Sequence, residues 1–329
     1  MTAIMTRLLG ALALLGLGLV IAAASPGAAQ AQNCTASVTD VDFGQPDLLS
    51  GNPVDTLANV HISCSNVPVF DVVKACLGLR SGSGGAASAV RYMVGPTGET
   101  LAYQLYQDAS RTTIWGDIGG AYGAPPGVLL GTGILVSPEA DVPIYARLFP
   151  NQAGVPQGDY VSEFSGAEVQ FALRLIPYAG ANTDCTGFTP FRTIRPSFEV
   201  RALVRPSCRI STTDLNFGQI GTLSSPVQAT SQLTVQCAAG AAYAVSLDNG
   251  QSGTGPEDRR MTSAGGDTVT YGLYKDEART LPWGQTLATD LEGVGTGSKE
   301  TYPVYGQTPA QTTPPAAVYS DRVTATVTY

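Results

Sequence analysis

Hydrophobic and polar residues alternate in short runs along much of this chain. In residues 168–176, Val169, Phe171, Leu173 and Leu175 fall on one face, with Glu168, Gln170 and Arg174 on the other. Phe198, Val200, Ala202 and Val204 alternate with Glu199, Arg201 and Arg205 in the same way. The last residues repeat the pattern, with Val323, Ala325, Val327 and Tyr329 set against Thr324, Thr326 and Thr328. A period of two puts successive side chains on opposite sides of an extended backbone, so each run predicts a strand with one buried face. Short strands separated by turn residues predict an all-β protein built as a pair of β-sandwiches. One stretch departs from this pattern. Residues 8–24 are apolar without a break, follow Arg7, and lead to Ala29-Gln30-Ala31. A basic start, a short apolar core and a small-residue exit predict a secretory signal peptide over residues 1–31. The run is short for a membrane span, and basic stop residues are missing beyond it.

The pattern occurs twice. Cys34-Thr-Ala-Ser-Val-Thr-Asp40-Val-Asp-Phe43-Gly44-Gln45 returns with identical spacing as Cys208-Arg-Ile-Ser-Thr-Thr-Asp214-Leu-Asn-Phe217-Gly218-Gln219. Tyr103-Gln-Leu-Tyr106-Gln-Asp108, followed by Arg111-Thr112 and Trp115-Gly116, is echoed by Tyr271-Gly-Leu-Tyr274-Lys-Asp276, Arg279-Thr280 and Trp283-Gly284. Gly131-Thr132-Gly133 matches Gly295-Thr296-Gly297, and Pro143-Ile-Tyr145 matches Pro303-Val-Tyr305. A period this long means tandem homologous domains, since solenoid repeats are far shorter. The boundary falls near Arg205-Pro206, giving domain 1 over residues 32–206 and domain 2 over residues 207–329.

The copies differ at their ends. Residues 168–176 of domain 1 match the final strand of domain 2, yet domain 1 continues to a further alternating strand, residues 197–205. If both domains share a fold, domain 2 lacks its last strand. A sandwich short of one strand exposes an apolar groove with unpaired backbone on its rims, and strand addition from a partner fills such grooves. Val323, Ala325, Val327 and Tyr329 are the expected groove-lining residues of domain 2. The alternative is a compact domain 2 with shifted termini.

Composition narrows the chemistry. The six cysteines all follow the predicted cleavage point, and an even count in an exported chain reads as disulfides. The repeat pairs Cys34 with Cys64 and Cys208 with Cys237, which leaves Cys76 to pair with Cys185. With one histidine, His61, and no Cys-x-x-Cys, a metal site is not expected. No cofactor is implied. The formal net charge of −8 disfavours nucleic acid as a partner. The chain shows no Gly-x-Ser-x-Gly and no second histidine to activate a nucleophile, and Asp108 and Asp276 recur in both copies as shared architecture. No catalytic residues are expected.

The Cys-x5-Asp-x2-Phe-Gly-Gln opening, the Tyr-x-Leu-Tyr-x-Asp centre with its Arg-Thr and Trp-Gly, and the closing residues 319–329 together resemble the spore coat protein U domain. The resemblance covers almost all of the chain after residue 31, with insertions in domain 1. It implies immunoglobulin-like, pilin-type sandwiches belonging to archaic chaperone–usher pili of the Csu type. On that basis the chain is expected to be a tip subunit, secreted through the periplasm to the cell surface. Its implied partners are a periplasmic chaperone, an outer-membrane usher, an adjacent pilin subunit donating an N-terminal strand, and an unidentified surface ligand. Only Gln32 and Asn33 stand between Ala31 and Cys34, too few for a donor strand of ordinary length. A tip subunit is expected to accept a strand and to donate none. The alternative is a secreted spore-coat or cell-surface structural protein that forms no pilus.

Attachment is expected where the copies diverge. Between Trp115 and Gly131, domain 1 carries a longer, apolar, Gly- and Pro-rich segment, and Tyr122, Pro125, Pro126, Val128, Leu129 and Leu130 are its candidate surface-binding residues. Residues 82–90 and 149–156 are further candidates. Loops at one end of a sandwich can form a joint binding surface, and exposed apolar patches mark interaction sites.

Overall fold

The computed structural model describes residues 33–120, 122–131 and 137–329. The signal-peptide expectation, residue 32 and most of the Gly131-Thr132-Gly133 motif lie outside them. Strands dominate the described chain, and they form two pairs of sheets.

Domain 1 contains β1 (Asn33–Val38), β2 (Val41–Asp42), β3 (Val54–Ser65), β4 (Asp71–Leu79), β5 (Ala86–Ala87), β6 (Val90–Val94), β7 (Thr100–Tyr106), β8 (Gly127–Leu130), β9 (Glu139–Leu148), β10 (Gly158–Phe164), β11 (Val169–Pro177), β12 (Arg192–Ile194) and β13 (Phe198–Val204). Its larger sheet runs β1-β3-β9-β7-β6-β10-β13-β2, with β5 attached to β6, and its smaller sheet runs β12-β11-β4-β8. Alternation decides which side chains lie between the sheets. Phe198, Val200, Ala202 and Val204 of β13 are all buried, while Arg201 on the other face is exposed. They share one core with Val41, Phe43, Val60, Ile62, Leu77, Leu105, Trp115 and Phe171.

Domain 2 contains β14 (Cys208–Thr212), β15 (Val227–Cys237), β16 (Ala242–Leu247), β17 (Arg259–Ser263), β18 (Thr268–Tyr274), β19 (Leu291–Val294), β20 (Lys299–Thr308), β21 (Tyr319–Ser320) and β22 (Ala325–Thr328). Its sheets run β14-β15-β20-β18-β17-β21 and β19-β16-β22. Its strands repeat nine of domain 1's, with β21 in the place of β10 and β22 in the place of β11, while β2, β5, β12 and β13 have no counterpart strand.

The repeated motifs carry repeated architecture. Trp115 and Trp283 are buried, and each indole N–H donates to a backbone carbonyl 38 residues earlier, of Leu77 and Val245 respectively. Tyr160 and Tyr319 each donate to the carbonyl four residues upstream, of Pro156 and Pro315, which fastens the turn before the strand. Asp108 accepts the amides of Thr112 and Thr113, and Asp276 accepts those of Thr280 and Leu281. The three disulfides join Cys34 to Cys64, Cys76 to Cys185 and Cys208 to Cys237. The first and third lie between paired strands, β1 with β3 and β14 with β15.

Candidate functional site

The two domains differ where domain 1 places β13. That strand runs antiparallel to β10, with Phe198 opposite Phe164, Val200 opposite Ser162 and Ala202 opposite Tyr160. On its other side it runs parallel to β2, with Val200 opposite Val41. Domain 2 has both walls of this slot. One is β21 and the residues after it, Tyr319 to Val323. The other is the irregular segment 213–220, whose Leu215 and Phe217 match Val41 and Phe43.

Between these walls lies a groove of about 560 Å³. Leu215 and Phe217 line one side, Tyr319, Asp321 and Val323 the other, and Leu233, Met261, Tyr271 and Leu273 lie along the floor. The burial difference follows directly. Val41, Met93 and Phe164 are fully enclosed in domain 1, whereas their counterparts Leu215, Met261 and Val323 are only half-buried. In domain 1, Phe164 stacks on Phe198 with ring centroids 4.7 Å apart. Full burial of a large apolar side chain contributes ~1.5–3 kcal/mol over leaving it exposed, so the enclosure of Val41, Met93 and Phe164 in domain 1 matches a large share of a domain's stability.

One wall of the groove carries a hydrogen-bonded carboxylate. Asp321 stands where domain 1 has Ser162. Its Oδ2 accepts the Tyr271 hydroxyl at 2.7 Å, and its Oδ1 accepts the amides of Gln251 at 2.9 Å and Arg322 at 2.8 Å. Burial, and then the neighbouring Asp321 carboxylate, push the Tyr271 hydroxyl above its ordinary value, so it stays a donor. Three donors satisfy the carboxylate where it stands.

Of the expected groove residues, Val323 and Ala325 line this space. Val327 lies further along β22, paired with Val245 and packed on the domain 2 core, and Tyr329 is exposed at the end of the chain.

For the expected attachment loop the structure differs from the sequence-based expectation. Gly127 to Leu130 form β8, which pairs with β4 from Cys76 to Val73. Leu130 is 1% exposed and belongs to the core, Val128 packs against that core, and Pro125 is buried. Tyr122 lies over the buried Arg91 guanidinium at 5.1 Å, and Pro126 and Leu129 are half-exposed. The physical reason is that β4 has a free edge and a core to close, and the apolar run answers both. The segment 82–90 is partly drawn into the sheet by β5. The Ala153 carbonyl in segment 149–156 lies close against Gly297 of domain 2.

Exposed apolar side chains occur elsewhere in domain 1, where β4 begins and β11 ends and just ahead of β12. Phe70 is 77% exposed, Phe191 is 92% exposed, and Val69 and Tyr178 are more than half exposed. The Tyr178 amide donates to the Phe70 carbonyl at 2.8 Å, and that of Phe191 to Leu173 at 2.9 Å. Phe70 sits at φ 72°, a left-handed conformation that costs a non-glycine residue on the order of 1–3 kcal/mol. The segment 178–191 is held down by the Cys76–Cys185 disulfide and by Lys74, whose ammonium donates to Asn182 at 3.0 Å and to the Asp184 carbonyl. Phe70 lies in a stretch between β3 and β4 that is longer than its counterpart between β15 and β16, and that difference was a signal open to sequence reading.

Two sandwiches, one self-completed and one with an open slot, define a pilus-subunit class of fold. The structure of the CsuC–CsuE chaperone–tip adhesion subunit pre-assembly complex, from archaic chaperone–usher Csu pili of Acinetobacter baumannii, is similar over 90% of this chain and all of that one. Its TM-score is 0.53 at 20% sequence identity. Residues 20–165 and 195–326 match the Spore Coat Protein U domain, so the chain belongs to that family. Protein U of Myxococcus xanthus is 32% identical over 106 residues, which cover 30% of this chain and 59% of that protein's length.

Proposed function

We propose that this protein is the tip subunit of an archaic chaperone–usher pilus, with no catalytic activity. Domain 2 accepts a strand from the adjacent subunit, and domain 1 attaches to a surface. The observation that carries this reading is the groove of domain 2, which occupies the slot that β13 fills in domain 1. A periplasmic chaperone would hold the groove until the usher delivers the donor strand. Secretion through the periplasm and a place at the cell surface, in adhesion and biofilm growth, follow from the same reading. Attachment is assigned to the exposed pole around Phe70, Tyr178 and Phe191 rather than to β8. The match to Protein U favours a second reading, a secreted coat component that assembles without a pilus.

The test extends the full chain beyond Tyr329. A linker as long as segment 178–197 would lead into an alternating strand with the sequence of β13. The extended protein is expected to be monomeric and to melt well above the unextended chain, and a proline-broken strand should give no gain. An unextended chain that is monomeric and equally stable would sink strand acceptance and favour the coat reading.

A further inference from the structure

We propose that the groove of domain 2 selects strands carrying an acidic side chain at the second of seven positions, where it faces outward beside Arg322. This inference rests on the strand-accepting reading above. Its geometry comes from domain 1, where β13 shows how a strand sits in the slot.

There the outward side chains Glu199 and Arg201 lie among three carboxylates, Asp40, Asp42 and Glu163. Arg201 answers two of them, at 3.0 Å from Asp42 and 3.9 Å from Asp40. Glu199 gives its backbone amide to Asp40 at 2.9 Å, while across the ladder it faces Glu163. Domain 1 tolerates that like-charge pair because β13 is covalently its own.

The rim of domain 2 differs at two of these three places. The Asp-x-x-Phe-Gly-Gln motif puts Asp214 where Asp40 stands and Asn216 where Asp42 stands. Ser320 pairs with Thr262 as Val161 pairs with Val94, so Arg322 takes the place of Glu163. Two carboxylates are gone and one guanidinium has arrived. All three rim residues are exposed on the groove walls.

The consequences follow position by position. A carboxylate at position two gains a cross-strand ion pair with Arg322, and a lysine there meets repulsion. Asp214 does not reverse this preference. By the domain 1 geometry its carboxylate holds the backbone amide of position two and leans toward position four. Position four has lost the counterpart of Asp42, so a base there is less favoured than Arg201 is in domain 1. Inward positions one, three, five and seven remain apolar, as Phe198, Val200, Ala202 and Val204 are. Val323 is smaller than Phe164, which leaves room for a large side chain at position one.

The experiment uses the purified full chain and two seven-residue peptides. One is Phe-Glu-Val-Arg-Ala-Leu-Val, the sequence of β13, and the other carries lysine at its second position. The unmodified chain is expected to bind the glutamate peptide about fivefold more tightly at low salt, the scale of one exposed ion pair. The preference should reverse in Arg322→Glu, disappear in Arg322→Ala and shrink at high ionic strength. Arg322→Ala serves if the reversed charge impairs folding. Equal binding of both peptides to the unmodified chain would overturn the charge selection and leave strand acceptance standing. If neither peptide bound or raised the melting temperature of any of the three chains, strand acceptance itself would fall.

Discussion

Single side chains that the two domains share explain much of their architecture. Arg91 and Arg259 are both fully buried, and among the described residues neither has a carboxylate in hydrogen-bond contact. Arg91 donates to the carbonyls of Arg80, Leu79 and Trp115 and to the Gln104 side chain. Arg259 donates to the carbonyls of Asp248, Pro256, Leu247 and Trp283. Each guanidinium thus ties the end of β4 or β16 to the tryptophan turn, and its planar fork reaches carbonyls that a lysine could not span. Replacing Arg259 with methionine would leave several buried carbonyls unpaired, at roughly 1–3 kcal/mol each. We expect a loss of about 3–5 kcal/mol, read from the denaturant midpoint, with Arg259→Lys recovering little of it. A midpoint unchanged by methionine would refute this role.

Among the elements, the tight turn after β7 shows what the repeated Asp-x-x-Arg-Thr motif does. The hydroxyl of Ser110, then the amides of Thr112 and Thr113, hold the Asp108 carboxyl well below the usual carboxylate range. Its native form therefore binds fewer protons than its unfolded form. The stability it contributes is present above about pH 4 and is lost as pH falls below that value. Asp108→Asn should flatten the acid limb of the stability–pH curve without moving the neutral region by as much, and an unaltered limb would exclude the turn as a source of acid sensitivity. The sequence made such elements legible because their causes are local. Alternation identified β11, β13 and β22, and equal spacing in two copies marked Asp108 and Asp276 as shared architecture and paired four of the six cysteines, leaving the last two for each other. The fate of residues 127–130 was not legible. Whether an apolar run lies exposed or becomes a strand depends on a free edge of β4 some 50 residues away. The groove was legible as a missing strand, but its charged rim required the register of β13 against β10 and β2.

At the scale of the whole molecule, the exposed Phe70, Tyr178 and Phe191 belong to domain 1 and the groove to domain 2. Phe70→Ser combined with Phe191→Ser removes apolar surface without opening the core, so the melting temperature should stay within a few degrees. Attachment to apolar surfaces, measured as retained cells or protein on polystyrene, is expected to fall several-fold. Leu130→Ala should do the reverse, lowering stability by ~2–4 kcal/mol through a buried cavity while the pole survives. Undiminished attachment by the double serine variant would move the adhesive surface elsewhere.

The short segment 178–197 between β11 and β13 has a further consequence. It is a tether, and it fixes the local supply of the strand that closes domain 1. An intramolecular partner on a short leash acts at an effective concentration in the millimolar range, whatever the protein concentration. Domain 1 therefore closes at the same rate in dilute and crowded conditions. On the proposed reading domain 2 takes its strand from a neighbour, and its closure obeys mass action. One chain then carries two kinds of folding, one first-order and private, the other second-order and dependent on the supply of neighbours.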